Sequence, residues 1–151
     1  SNLGMVSHAV AVDVNLDKRQ DLILVGEWMS VKILINHDGL FKDESESYFD
    51  RKYSGWWNTI LVRDLNQDGQ LDLMVGNHGE NSQLKATTER PVQLHFKDFD
   101  KNGTTEQVMA YTINGKEYTF LAKDELERSM NVLKKAYLKY NEVAGKTVQY
   151  M

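Results

Sequence analysis

The sequence predicts a mainly β fold: two to three antiparallel, blade-like sheets followed by a C-terminal α-helix. Three observations lead there. A nine-residue acidic segment occurs three times, as "DVNLDKRQD" (13–21), "DLNQDGQLD" (64–72) and "DFDKNGTTE" (98–106). Each copy lies between two short stretches in which apolar and other residues alternate, the period of a half-buried strand. After Lys123 the apolar spacing changes to steps of three and four, the period of a helix.

The first unit opens with "HAVAV", passes through its acidic loop and continues as "LILVGEW". "VKILINHDG" and "LFKDES" then read as a third strand, a turn and a short fourth, completing a four-stranded antiparallel blade. The second unit is "NTILVR", its loop and "LMVGN", followed by the polar "NHGENSQLKATTERP", which reads as a connecting loop. "VQLHFK", the third loop and "VMAYTI" form the third unit. It runs on through "AYTINGKEYTF", where Asn114-Gly115 is a strong hairpin signal. These repeats cover about 6–50, 56–84 and 91–121 of a region spanning 4–121. Residues 122–151 are the helical segment and tail. Asp124 and Glu127 resemble a capping box, and Leu126, Met130, Leu133, Tyr137 and Tyr140 fall on one helix face, a packing surface. Gly145 is the stop signal beyond them.

Composition bounds the function. With 151 residues, 41% hydrophobic and 26% charged, the chain is long enough for a real core and is not a disordered polymer. No apolar run approaches the roughly 18 residues of a membrane span. The start at "SNLGMV" rather than at an initiator methionine reads as an excised fragment, with "SN" as a cloning remnant. The absence of cysteine excludes disulfides, thiolate metal sites and thiol catalysis. A net charge of −4 without a basic patch speaks against nucleic-acid binding.

The acidic loops carry the chemistry. Calcium takes six to eight hard oxygen ligands from carboxylates, amide oxygens, carbonyls and water. A loop offering oxygens at positions 1, 3 and 5, a backbone carbonyl at 7 and a carboxylate at 9 wraps such an ion, and glycine at position 6 permits the sharp turn. The second loop supplies Asp64, Asn66, Asp68, the carbonyl of Gln70, and Asp72; the third supplies Asp98, Asp100, Asn102, the carbonyl of Thr104, and Glu106. In the first, Asp13, Asn15, Asp17, the carbonyl of Arg19 and Asp21 stand ready, but Lys18 occupies the glycine position. There the lysine must take an unfavourable backbone geometry, or the loop must be drawn differently. Two calcium ions are expected, with a third in the first loop open. Position 12 is Val75 or Met109 rather than a bidentate glutamate, so these are not helix–loop–helix sites. Nine carboxylates sit in the three loops; without them the formal charge would be positive. Unneutralised, each trio repels itself, so cation binding is expected to couple to folding. Magnesium, which demands a tight octahedral shell, suits the loops less.

"VDVNLDKRQDLILVGEW" and "RDLNQDGQLDLMVGNHGEN" resemble the FG-GAP, or VCBS, repeats of β-propeller proteins, the family that includes the integrin α-subunit head. "GEWMSVKILIN" and "GWWNTI" are similar to versions in large bacterial surface or secreted proteins carrying ASPIC/UnbV-type domains, and the stretch from "DFDKNG" into "KDELERSMNVLKKAY" resembles a tail that follows such repeats. The resemblance implies a calcium-stabilised propeller whose loops face ligands or partner proteins, and no catalytic residues. Since propellers close with about four to eight blades, the chain reads as an incomplete propeller, with open sheet edges that invite homo-oligomer contacts.

Enzyme signatures are lacking. His8, His37, His78 and His95 have no metal-ligand spacing, and neither a nucleophile elbow nor a phosphate loop occurs. Carboxylate pairs would serve a glycosidase, but the loops already account for them. Trp28, Trp56 and Trp57 fall at strand ends, where an indole either fills space between blades or stacks on a sugar. The expected role is a non-catalytic ligand-binding or adhesion scaffold with a protein or glycan ligand; a carbohydrate-binding or carbohydrate-processing module is the alternative. Calcium loops of this type suit millimolar extracellular calcium, which predicts an extracytoplasmic setting (secreted, cell surface or periplasmic), and the resemblance implies a bacterial one.

Overall fold

The computed structural model describes residues 3–79, 82–136, 138–143 and 145–148. They form two compact units, 1–81 and 82–151, both built from antiparallel strands.

In the first unit, β1 (Met5–Val12), β2 (Asp21–Ser30), β3 (Lys32–His37) and β4 (Leu40–Asp43) follow one another as a meander. This is the four-stranded blade expected from the sequence. Asp38 and Gly39 both hold positive φ, 53° and 93°, in the two-residue turn between β3 and β4, the conformation that a tight hairpin requires. A single helical turn, α1 (Ser45–Tyr48), comes next. The Ser45 hydroxyl accepts the Ile33 N–H at 2.9 Å, and Glu44 N–H donates to the Ile33 carbonyl, so α1 is tied to β3. Lys32 pairs with Asp43 at 2.6 Å beside that turn. Partial burial pushes the Asp43 carboxyl up, but bonds from Lys32 and Ser45 outweigh it and hold the group below its ordinary value.

The second strand pair is β5 (Ser54–Arg63) and β6 (Asp72–Asn77). β5 pairs with the far end of β2 and runs beside β1, where the Ser7 hydroxyl donates to the Trp57 carbonyl at 2.8 Å and Ile60 N–H donates to His8 Nδ1 at 3.2 Å.

Strand alternation determines what packs on what. In the first blade Val10 faces Ile23 across the ladder, and one step along Ala9 faces Leu24 on the opposite side. In the second pair the same positions are Leu61 facing Met74, and Ile60 facing Val75. The core forms where the Ile23 side of the first blade meets the Ile60 side of the second. Ile23, Val25, Ile33, Ile35 and Ile60 are buried there, with Val10, Val12, Val62, Leu73 and Val75 packed around them. The other side of the second pair stays open, with Leu61 50% and Met74 56% exposed.

In the second unit, β7 (Val92–Lys97), β8 (Glu106–Ile113) and β9 (Lys116–Thr119) make a three-stranded sheet. Its β8–β9 turn is the Asn114-Gly115 hairpin expected from the sequence, with φ of 49° and 73°. Residues 82–91 are irregular, as the polar composition implied.

Among the described residues, the single C-terminal helix expected from the spacing is instead three short ones: α2 (Lys123–Ser129), α3 (Val132–Ala136) and α4 (Tyr140–Val143). Met130 caps α2 with φ −124° and ψ 88°, outside the helical region. The apolar stripe survives the break, because Leu126, Met130 and Leu133 all remain buried with Val108. Tyr137 lies outside the described residues, as does the side chain of Tyr140. The capping pair is also displaced. Glu125, not Glu127, reaches back to the Ala122 N–H at 3.1 Å, and Glu127 pairs with Lys123 one turn away. Gly145 holds φ 77°, two residues past α4.

Ile60 and Leu61 are neighbours in sequence on opposite faces of β5. Ile60→Ala is expected to cost about 2–5 kcal/mol, the range for emptying a packed core position. Leu61→Ala should stay within about 0.5 kcal/mol, as for an exposed site. Urea unfolding of the two variants checks this; equal losses would mean the faces are wrongly assigned.

Candidate metal loops

All three acidic loops fold alike, with side-chain oxygens doing what backbone carbonyls do in a tighter turn. The position-1 aspartate takes two N–H groups, one on each oxygen. Asp13 binds Asp17 N–H at 3.0 Å and Lys18 N–H at 2.8 Å. Asp64 binds Asp68 N–H at 3.1 Å and Gly69 N–H at 2.9 Å; Asp98 binds Asn102 N–H at 3.0 Å and Gly103 N–H at 2.9 Å. The position-3 oxygen of Asn15, Asn66 or Asp100 accepts the position-5 N–H. That of Asp17, Asp68 or Asn102 in turn accepts the N–H of position 7. Finally the position-9 carboxylate closes the loop on the N–H of position 2: Asp21 on Val14, Asp72 on Leu65, Glu106 on Phe99, each at 2.8 Å.

Two residues per loop pay for this path with a left-handed backbone. At position 4 they are Leu16, Gln67 and Lys101, with φ of 62°, 63° and 59°. At position 6 they are Gly69 and Gly103, where glycine is free to adopt it, and Lys18 at φ 70°. Lys18 therefore takes the unfavourable geometry, and the loop keeps its nine-residue frame.

The donor sets differ within that common frame. In the third loop, carboxylate oxygens of Asp98, Asp100 and Glu106 lie within 4.8 Å of one another. Two oxygens on one calcium are at most about 5 Å apart, since each bond is about 2.3–2.6 Å, so this spacing fits one ion. Among the described residues it is the one group of three carboxylates that converges so far. The reason lies in the order of acid and amide. In the first two loops an amide precedes an acid, and its NH2 clasps that acid: Asn15 to Asp17 at 2.8 Å, Asn66 to Asp68 at 3.0 Å. In the third the acid comes first, and the Asn102 oxygen receives Thr104 instead.

The first loop holds a cation of its own. The Arg19 guanidinium meets Asp17 Oδ2 at 2.6 Å and Asp38 Oδ1 at 3.2 Å, while its Nε donates to the Asn36 carbonyl at 2.9 Å. Bonding from Asn15, followed by the backbone and side chain of Arg19, holds the Asp17 carboxyl below its ordinary value despite an opposing desolvation effect. Asp21 is fully buried, its second oxygen taking the Asn36 N–H at 2.8 Å. The spacing singled out Arg19 for its carbonyl; its side chain was the missed feature, and a guanidinium two residues from Asp17 was the available signal.

At the opposite strand ends, the tryptophans divide. Trp57 belongs to the core, its indole N–H donating to the Tyr53 carbonyl at 3.1 Å. Trp56 instead stacks on His78, ring centroids 4.9 Å apart, and Trp28 packs against Trp56 at 5.3 Å with its plane tilted by 37°. Trp28 sits at the bulge between Glu27 and Met29 with φ 57°, an outlier for so bulky a residue. His78 gave no sign of this in its spacing.

No curated protein and no solved structure matches the chain. A family model does, over 13–75, from the first aspartate of loop one to Val75 of β6. With the strand pairs and acidic loops as described, this stretch of the chain is similar to an FG-GAP-like repeat.

Proposed function

We propose that the protein is a calcium-binding β-propeller-type scaffold, non-catalytic, from a secreted or cell-surface bacterial protein, presenting its strand-end surfaces to a protein or glycan ligand. The observation that carries this reading is the common loop frame, in which backbone N–H groups orient one all-oxygen donor set after another. Hard oxygen donors without nitrogen or sulfur suit calcium. Asp98, Asp100, Asn102, the Thr104 carbonyl and Glu106 would hold one ion; Asp64, Asn66, Asp68, the Gln70 carbonyl and Asp72 a second. When bound, calcium neutralises the gathered carboxylates and so ties loop closure to folding.

Thermal melts in chelator and in millimolar calcium test the reading. At free calcium a hundredfold above Kd, each site adds about 2.7 kcal/mol. Asp68→Ala should reduce the calcium gain of residues 1–81, and Asp100→Ala that of residues 82–151. Identical melts with and without calcium would refute it.

Arg19 supplies to loop one the positive charge that calcium would bring to the others, so this loop is the metal-free member. Equilibrium dialysis is expected to give two calcium ions per chain for the parent. Lys18→Gly with Arg19→Gln, which restores the glycine and removes the guanidinium, should raise the number to three. Three ions in the parent would contradict this assignment.

The cluster of Trp28, Trp56 and His78 favours a second reading, carbohydrate binding, because aromatic faces at strand ends suit the apolar face of a pyranose. Oligosaccharides should then quench tryptophan fluorescence, and Trp56→Ala should abolish the effect. A broad panel without quenching would leave the cluster as a packing device.

A further inference from the structure

The three repeats share one register, so equivalent positions can be compared directly. Position 11, counted from the first loop aspartate, is Ile23, Met74 and Val108, and its ladder partner three residues before the loop is Val10, Leu61 and His95. Position 13 is Val25 in the first repeat and Ala110 in the third. In the first repeat this face, with Ile23 and Val25, packs against the next repeat through Ile60, Val62, Leu73 and Val75. In the third repeat the same face is also buried, Val108 and Ala110 both at 0% exposure. Among the described residues, no strand pair covers Val108 there. Its partners are Leu126, Met130 and Leu133 of α2 and α3, with Phe99 and Leu121 at the margin.

We propose that α2 and α3 are a cap: they occupy, within the chain, the repeat-docking face of β8 and thereby prevent a second copy from docking on it. The surface that would dock is defined by the same register. Ile60, Val62, Leu73 and Val75, which cover the first repeat, correspond in the third to Leu94, Phe96, Gln107 and Met109, three of them apolar, and Phe96 is 54% exposed. Uncapped, the Val108 face of one copy fits the Phe96 face of another. This head-to-tail contact does not use up its own partners and therefore propagates. A cap of two helices, seven and five residues long, has little helical stability of its own and is held by its buried stripe. The register thus assigns a blocking role to Leu126, Met130 and Leu133 that a lone amphipathic pattern would not.

The test is self-association of the full chain, followed by light scattering with size-exclusion chromatography. Leu126→Asp with Leu133→Asp should increase association at least tenfold over the parent. Adding Phe96→Asp should return it to the parental level, a reversal that general exposure of apolar surface would not give. If circular dichroism shows that the double variant has lost its sheet, Leu133→Ala alone is read by the same two criteria. Unchanged association with the sheet intact overturns the proposal, and so does association that Phe96→Asp leaves untouched.

Discussion

A loop of nine residues between two strands stays in one shape because its carboxylates bind its own N–H groups. The first aspartate gathers positions 5 and 6, and the last carboxylate returns to position 2. That closure sets the register of the flanking strands. In every copy the residue before the loop lies opposite the ninth: Val12 with Asp21, Arg63 with Asp72, Lys97 with Glu106. A slip of one residue would turn every side chain to the other face of its sheet. The Ile23 and Ile60 faces would then not meet, and Val108 would not lie under the helices. Core, blade and cap all inherit their geometry from hydrogen bonds made in the loops.

The same closure explains the tolerance of the frame for different chemistry inside it. Backbone N–H groups occupy one direction of each side-chain oxygen and leave others available. Swapping the order of amide and acid moves the third loop's carboxylates together, whereas the Asn15–Asp17 and Asn66–Asp68 clasps draw acid onto amide in the other two. Placing Arg19 beside Asp17 brings a guanidinium to the first loop without changing the path of the chain. The hydrogen bonds of positions 1 and 9 are the same in all three loops, while the residue types at positions 3, 5 and 7 differ from copy to copy.

Much of this was legible in the residues. Alternation and loop spacing located the strand pairs, Asn114-Gly115 marked its hairpin, and the glycine rule flagged Lys18 as the position under strain. The limits were physical. A stripe at helical spacing shows which side chains share a face but not whether the backbone between them is continuous, so the interruption at Met130 was invisible. Where Arg19 points depends on Asn36 and Asp38, seventeen and nineteen residues away. The meeting of Trp28, Trp56 and His78 likewise needs three strand ends that no local pattern relates.

The shortness of the loops has a kinetic side. Each acidic loop joins strands whose pairing partners are only about nine to twenty-two residues apart in sequence, so little chain entropy is lost in closing them. The β2–β5 ladder joins Glu27 to Trp56 and Ser30 to Ser54, a longer closure. Local pairings of this kind form fast, and topologies rich in them fold fast. The loop hairpins are accordingly expected to form early in folding, with the joining of one repeat to the next as the slower step that waits for both.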